Sequence, residues 1–61
     1  GRWLLRDSDR GAIVIHTPEP MDVVIIGMNG KVAYRGEVTD GQRIMVSSGI
    51  YAVNGQLVRV K

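Results

Sequence analysis

The chain has no cysteine, no phenylalanine and only two prolines. Without cysteine there is no disulfide framework, no cysteine zinc site and no thiol nucleophile. No apolar run approaches the ~18 residues that would span a membrane. No charged-then-apolar leader opens the chain, so no signal peptide is expected within it. The charge surplus is small as well. Eight Lys and Arg against six Asp and Glu leave a net charge of +2. That is too little to argue for nucleic acid. Aromatics are scarce, with Trp3, Tyr34 and Tyr51 making up the set. Such a set is a poor stacking platform for single strands.

What the chain does have is β-branched residues and glycine. Its 61 residues allow one small domain, covering 1–61, and 44% of them are hydrophobic. Richness in Val and Ile separates it from disordered sequence. Domains of this size bury only about 60% of their unfolded surface and usually need disulfides, a metal or a partner. The first is excluded and the second has few ligands, so a segment of a longer protein is expected.

No stretch carries the 3.6-residue apolar period over three turns. Short β-branched runs are instead separated by turn dipeptides at Asn29-Gly30, Asp40-Gly41 and Asn54-Gly55. Such dipeptides accept the positive φ angles of type I′ turns. Ser48-Gly49 and Asp9-Arg10-Gly11 add further breaks. The pattern predicts strands over 3–6, 12–16, 22–28, 31–37, 42–46, 50–53 and 56–60. Thr17-Pro18-Glu19-Pro20 is a connection, because proline cannot donate to a ladder. The run Val23-Val24-Ile25-Ile26 predicts a central strand covered on both faces. Alternation over 31–37 puts Val32 and Tyr34 inward. In the last strand Val58 and Val60 share one face, and Leu57, Arg59 and Lys61 the other. The fold class is all-β, six to seven short antiparallel strands, a two-sheet sandwich in preference to a barrel.

Several segments suggest sharper chemistry. Gly27-Met28-Asn29-Gly30-Lys31 has too few residues between its glycines for a phosphate loop. Its strand-like flanks do not suit the Gly-x-x-Gly clamp of KH domains. A hairpin turn is the better reading. His16, the single histidine, lacks the co-ligands of a metal site and is read as a strand-end residue. Spacing leaves open a triad with Ser8, Ser47 or Ser48, although no Gly-x-Ser-x-Gly elbow is present. Asp7, Ser8 and Asp9 are a polar turn, since the later positions of a calcium loop fail. No catalytic residue, metal ligand or cofactor site is assigned. Residues 44–53 carry no charge, which reads as two central strands or, alternatively, as an edge that accepts a partner strand.

The C-terminal half carries a more specific pattern. Gly49-Ile50-Tyr51-Ala52-Val53 is followed by a hairpin and the ending Val58-Arg59-Val60-Lys61, with Val23 to Val32 about 20 residues upstream. This resembles the C-terminal domains of Bacteroidetes secreted and cell-surface proteins. The type IX secretion sorting domains and the related modules of gut Bacteroides are the families concerned. Residues 11–61 are covered. Ile25-Ile26-Gly27 stands where the sorting family has Tyr-Asp or Tyr-Asn, and an early Asn-Pro is missing. The resemblance implies an immunoglobulin-like sandwich at the extracellular or outer-membrane surface. It also implies a non-catalytic role in secretion sorting or anchoring, with secretion or envelope proteins and the parent chain as partners. Gly49, Ile50, Tyr51, Val53, Val58, Val60 and Lys61 match its motif and would carry recognition. A structural or adhesion module acting through a strand edge or Trp3 is the alternative. A small nucleic-acid-binding barrel is a third.

Overall fold

A computed structural model describes the backbone of residues 4–6 and all of residues 11–61. Trp3, Ser8 and the Asp7–Asp9 turn lie outside the described residues. The described chain is all β with no helix. Its strands are β1 (Leu4–Arg6), β2 (Ala12–His16), β3 (Met21–Gly27), β4 (Val32–Val38), β5 (Gln42–Met45), β6 (Gly49–Val53) and β7 (Gln56–Val60). The expected bounds of β2 and β7 hold end to end. β3 and β4 shift by one residue, β5 ends one residue early and β6 begins one early.

Two antiparallel sheets result, ordered β1-β2-β5 and β4-β3-β6-β7. Hairpins join β3 to β4 and β6 to β7, whereas the Asp40-Gly41 turn passes the chain from the second sheet to the first. One apolar cluster takes Ile13, Ile15 and Ile44 from the first sheet. Val23, Ile25, Val38, Val53, Val58 and Val60 join it from the second. Both sheets therefore bury one face each in a shared core, which removes that apolar surface from water.

The two hairpins close differently. Asn54 and Gly55 both have positive φ, 49° and 85°, as a type I′ turn requires. At Asn29-Gly30 only Gly30 is left-handed. Gly30 N donates to Gly27 O and Gly27 N to Lys31 O, both at 2.9 Å. That is the longer loop built on a type I turn, so type I′ is corrected here. The Asn29 side chain supports it, accepting from Lys31 N at 2.9 Å.

Two facing predictions are corrected as well. Ile25 pairs with Tyr34 but Ile26 pairs with Val32, so Ala33 is an extra residue on β4. A bulge of this kind re-aims what precedes it. Tyr34 packs against the core, while Val32 is turned out and 54% exposed. β3 is central in its sheet, yet only Val23 and Ile25 are buried. Ile26 on the opposite face is 39% exposed. Coverage on both faces is thus replaced by coverage on one. The uncharged stretch 44–53 also divides, since β5 borders its sheet among the described residues and only β6 is interior.

Candidate functional site

The motif residues of the C-terminal half meet on the β6–β7 hairpin, but they do not share an environment. Val53, Val58 and Val60 are buried in the core, and Tyr51 packs against it. The Tyr51 hydroxyl donates to Ser47 O at 2.8 Å, four residues upstream. That bond holds the β5–β6 connection against the start of β6. Gly49, Ile50 and Lys61 remain exposed. Gly49 has φ +154°, and a Cβ there would meet only ordinary contacts. Its conformation, which non-glycine residues avoid, is what calls for glycine.

Two open surface depressions flank this segment. One, about 380 Å³, lies between Ser48–Ile50 on one side and Arg59–Lys61 on the other. The second, about 300 Å³, lies between the Gly27–Asn29 turn and Ser47–Tyr51. The first joins the apolar Ile50 to two cations, Arg59 and Lys61. A groove of that composition can hold an extended segment that carries carboxylates.

His16 lies at the other end of the molecule. Val46 N donates to Gly11 O, which places Ser47 and Ser48 beyond the Gly11 end of β2. His16 stands five residues along, roughly 16 Å at ~3.3 Å per residue. A triad of His16 with either serine is therefore not assembled, and Ser8 lies outside the described residues. The partner of His16 is Asp40, with Nδ1 3.3 Å from Oδ1. The same Oδ1 accepts from Thr17 N at 3.0 Å. Gly41 N donates to Ile15 O at 2.8 Å. Asp40 thus fastens the sheet-to-sheet turn to the end of β2, and sequence spacing gives no sign of its bond to Thr17 across 23 residues.

The consequence is a clean separation of two variants. Asp40→Ala leaves the buried Thr17 amide without its acceptor and is expected to cost about 1–2 kcal/mol. His16→Ala removes only a solvent-exposed contact and is expected to cost under about 0.5 kcal/mol. Urea denaturation of both checks this, and equal losses would mean that the His16–Asp40 contact dominates.

Among the described residues no group of three or more His, Asp or Glu is placed to hold a metal ion. Among the same residues no helix is long and apolar enough to cross a membrane. Family models, curated proteins and solved structures return no match to this chain.

Proposed function

We propose that the chain is an immunoglobulin-like β-sandwich serving as a non-catalytic C-terminal module of a cell-envelope protein, in secretion sorting or surface anchoring. Strand order supports the fold type. First, second and fifth strands share one sheet, and third, sixth and seventh the other. Those are the A, B, E and C, F, G strands of an immunoglobulin domain. Only the fourth strand differs from the constant-type arrangement, pairing with β3 rather than with β5. The Tyr51 bond is a second mark, because these domains carry a tyrosine on strand F that bonds back to upstream backbone.

The role rests on one observation. The motif splits into a buried half that builds the hairpin and an exposed half, Gly49, Ile50 and Lys61, that borders the larger depression. Recognition then falls to the exposed half. The test attaches residues 1–61 to the C-terminus of a periplasmic reporter in a Bacteroidetes host with a type IX secretion system. Surface display is expected with the intact chain. It is expected to fall at least tenfold with Ile50→Glu plus Lys61→Glu, two exposed positions whose change leaves the core intact. Deleting Val58 to Lys61 is expected to abolish display too, but it also removes core. Display unaffected by the double variant would overturn the sorting role and leave a structural or adhesion module.

A further inference from the structure

Asn29-Gly30 and Asn54-Gly55 are the same dipeptide in two hairpin turns, yet their side chains are held in opposite ways. The dipeptide has a chemistry of its own. Glycine carries no Cβ, so its amide nitrogen can approach the side-chain carbonyl carbon of the asparagine before it. Attack there closes a five-membered ring. The Gly N–Cγ bond forms, the Cγ–Nδ2 bond breaks, and ammonia leaves with the amide proton. Water then opens this succinimide at either carbonyl. The products are aspartate and an isoaspartate whose main chain runs through Cβ and Cγ.

Asn29 is set for this step. Its Oδ1 accepts from Lys31 N, two residues on, at 2.9 Å. A side chain that reaches that amide folds over the intervening peptide, which carries Cγ beside Gly30 N. Holding the reacting atoms together spares the search that a free side chain would make. The Lys31 N–H also polarises the carbonyl and stabilises the oxyanion that attack creates. Gly30 N is itself bonded to Gly27 O at 2.9 Å. That bond lies within one exposed turn and opens without disturbing either sheet.

Asn54 is held away from the reaction. Its Oδ1 takes Val24 N at 2.9 Å, and its Nδ2, the group that must leave, donates to Asp22 O at 3.2 Å. Both partners are backbone atoms of β3, so the amide is drawn across the sheet and off Gly55 N. Reaction there has to break both bonds and free the side chain from β3. Asp40-Gly41 is locked at both ends. Gly41 N donates to Ile15 O at 2.8 Å, and Asp40 Oδ1 accepts from Thr17 N at 3.0 Å.

We infer that Asn29 is a site of spontaneous modification, converting to aspartate and isoaspartate through a succinimide with Gly30, and that the clasp onto β3 shields Asn54 from the same reaction. The consequence falls on one surface. Each event replaces a neutral amide by a carboxylate and lowers the net charge of +2 by one. The new charge stands on the rim of the smaller depression, across from Ser47–Tyr51. Isoaspartate also adds an atom to the main chain inside the Gly27–Lys31 turn, whose two closing bonds depend on its length.

Ageing of the full chain at mildly alkaline pH tests this. Trypsin leaves the two asparagines in separate peptides, 11–31 and 44–59. Mass spectrometry of these peptides gives each rate, and an isoaspartyl methyltransferase reports the isoaspartate. Asn29 is expected to convert at least about tenfold faster than Asn54, because two bonds must open before Asn54 can react. In concentrated urea the two rates are expected to come within about threefold, since neither the reach to Lys31 N nor the clasp survives unfolding. Asn29→Gln is expected to abolish the fast loss of charge on isoelectric focusing, with an unchanged circular dichroism spectrum. Asn54 reacting as fast as Asn29 in the folded chain overturns the inference. A ratio that persists in urea does so too, by tracing the difference to the neighbours Met28 and Val53. Two inert asparagines in the folded chain also overturn it, by showing that the Gly30 N to Gly27 O bond protects Asn29.

Discussion

Ile25→Ala is expected to unfold most of the domain's margin of stability in one step. Ile25 is fully buried on β3, between Tyr34 on β4 and Val53 on β6. Among the described residues, nine form the core cluster that both sheets share. Removing three carbons there loses their transfer free energy and leaves a cavity that a two-sheet core closes poorly. Such substitutions cost about 2–5 kcal/mol. A domain of this length has roughly 3–9 kcal/mol in total. At about 4–8 °C per kcal/mol, the melting temperature should fall by roughly 8–40 °C. Thermal melting by far-UV circular dichroism checks this. Leu57→Ala, of similar chemistry but at an exposed site, should shift the midpoint by no more than a few degrees. A fall below about 5 °C for Ile25→Ala would mean that the sheets do not share one core.

The second large effect is expected at Asn54, which neither packs in the core nor belongs to the C-terminal motif. Its backbone is left-handed, at φ 49°. Its Oδ1 accepts from Val24 N at 2.9 Å, and its Nδ2 donates to Asp22 O at 3.2 Å. A backbone bond from Asn54 N to Val24 O, at 3.0 Å, completes the attachment. One side chain therefore ties the β6–β7 turn to the middle of β3, 30 residues away. Asn54→Ala loses both side-chain bonds and forces alanine into a conformation that disfavours its Cβ. The expected loss is about 2–3 kcal/mol. Asn54→Gly loses the bonds but not the backbone fit, and should cost about half as much. Urea denaturation of the three proteins should rank them Asn, Gly, Ala. Equal losses for glycine and alanine would show that the left-handed backbone carries no strain.

Asn54 also shows where reading along the chain stops. The Asn-Gly dipeptide marks a hairpin because positive φ is a local property, and the turn forms as that chemistry demands. The clasp onto Val24 and Asp22 is not local, and no pattern within ten residues encodes it. The same division holds at Tyr51. Its place in the motif is plain in the sequence, but its bond to Ser47 O depends on how the β5–β6 connection folds back. At Val32 the alternation of apolar residues misleads. The extra residue Ala33 enters β4 only because Ile25 and Ile26 take partners two positions apart.

The sequence by itself determined that this chain is built of short antiparallel strands, where they break, and that Val58 and Val60 point opposite to Leu57. These are consequences of β-branched runs, turn dipeptides and a side-chain period of two, all of which act over a few residues. Tertiary structure alone decided that β5 joins β2 in the other sheet and that β6 pairs with β3. It also decided that Val24, Ile26 and Leu57 are left on an outward face, and that Asp22 meets Glu37 across it. Strand pairing joins residues far apart in sequence, and which face of a pleat is covered depends on where the other sheet lies. Neither is a property that any one strand contains.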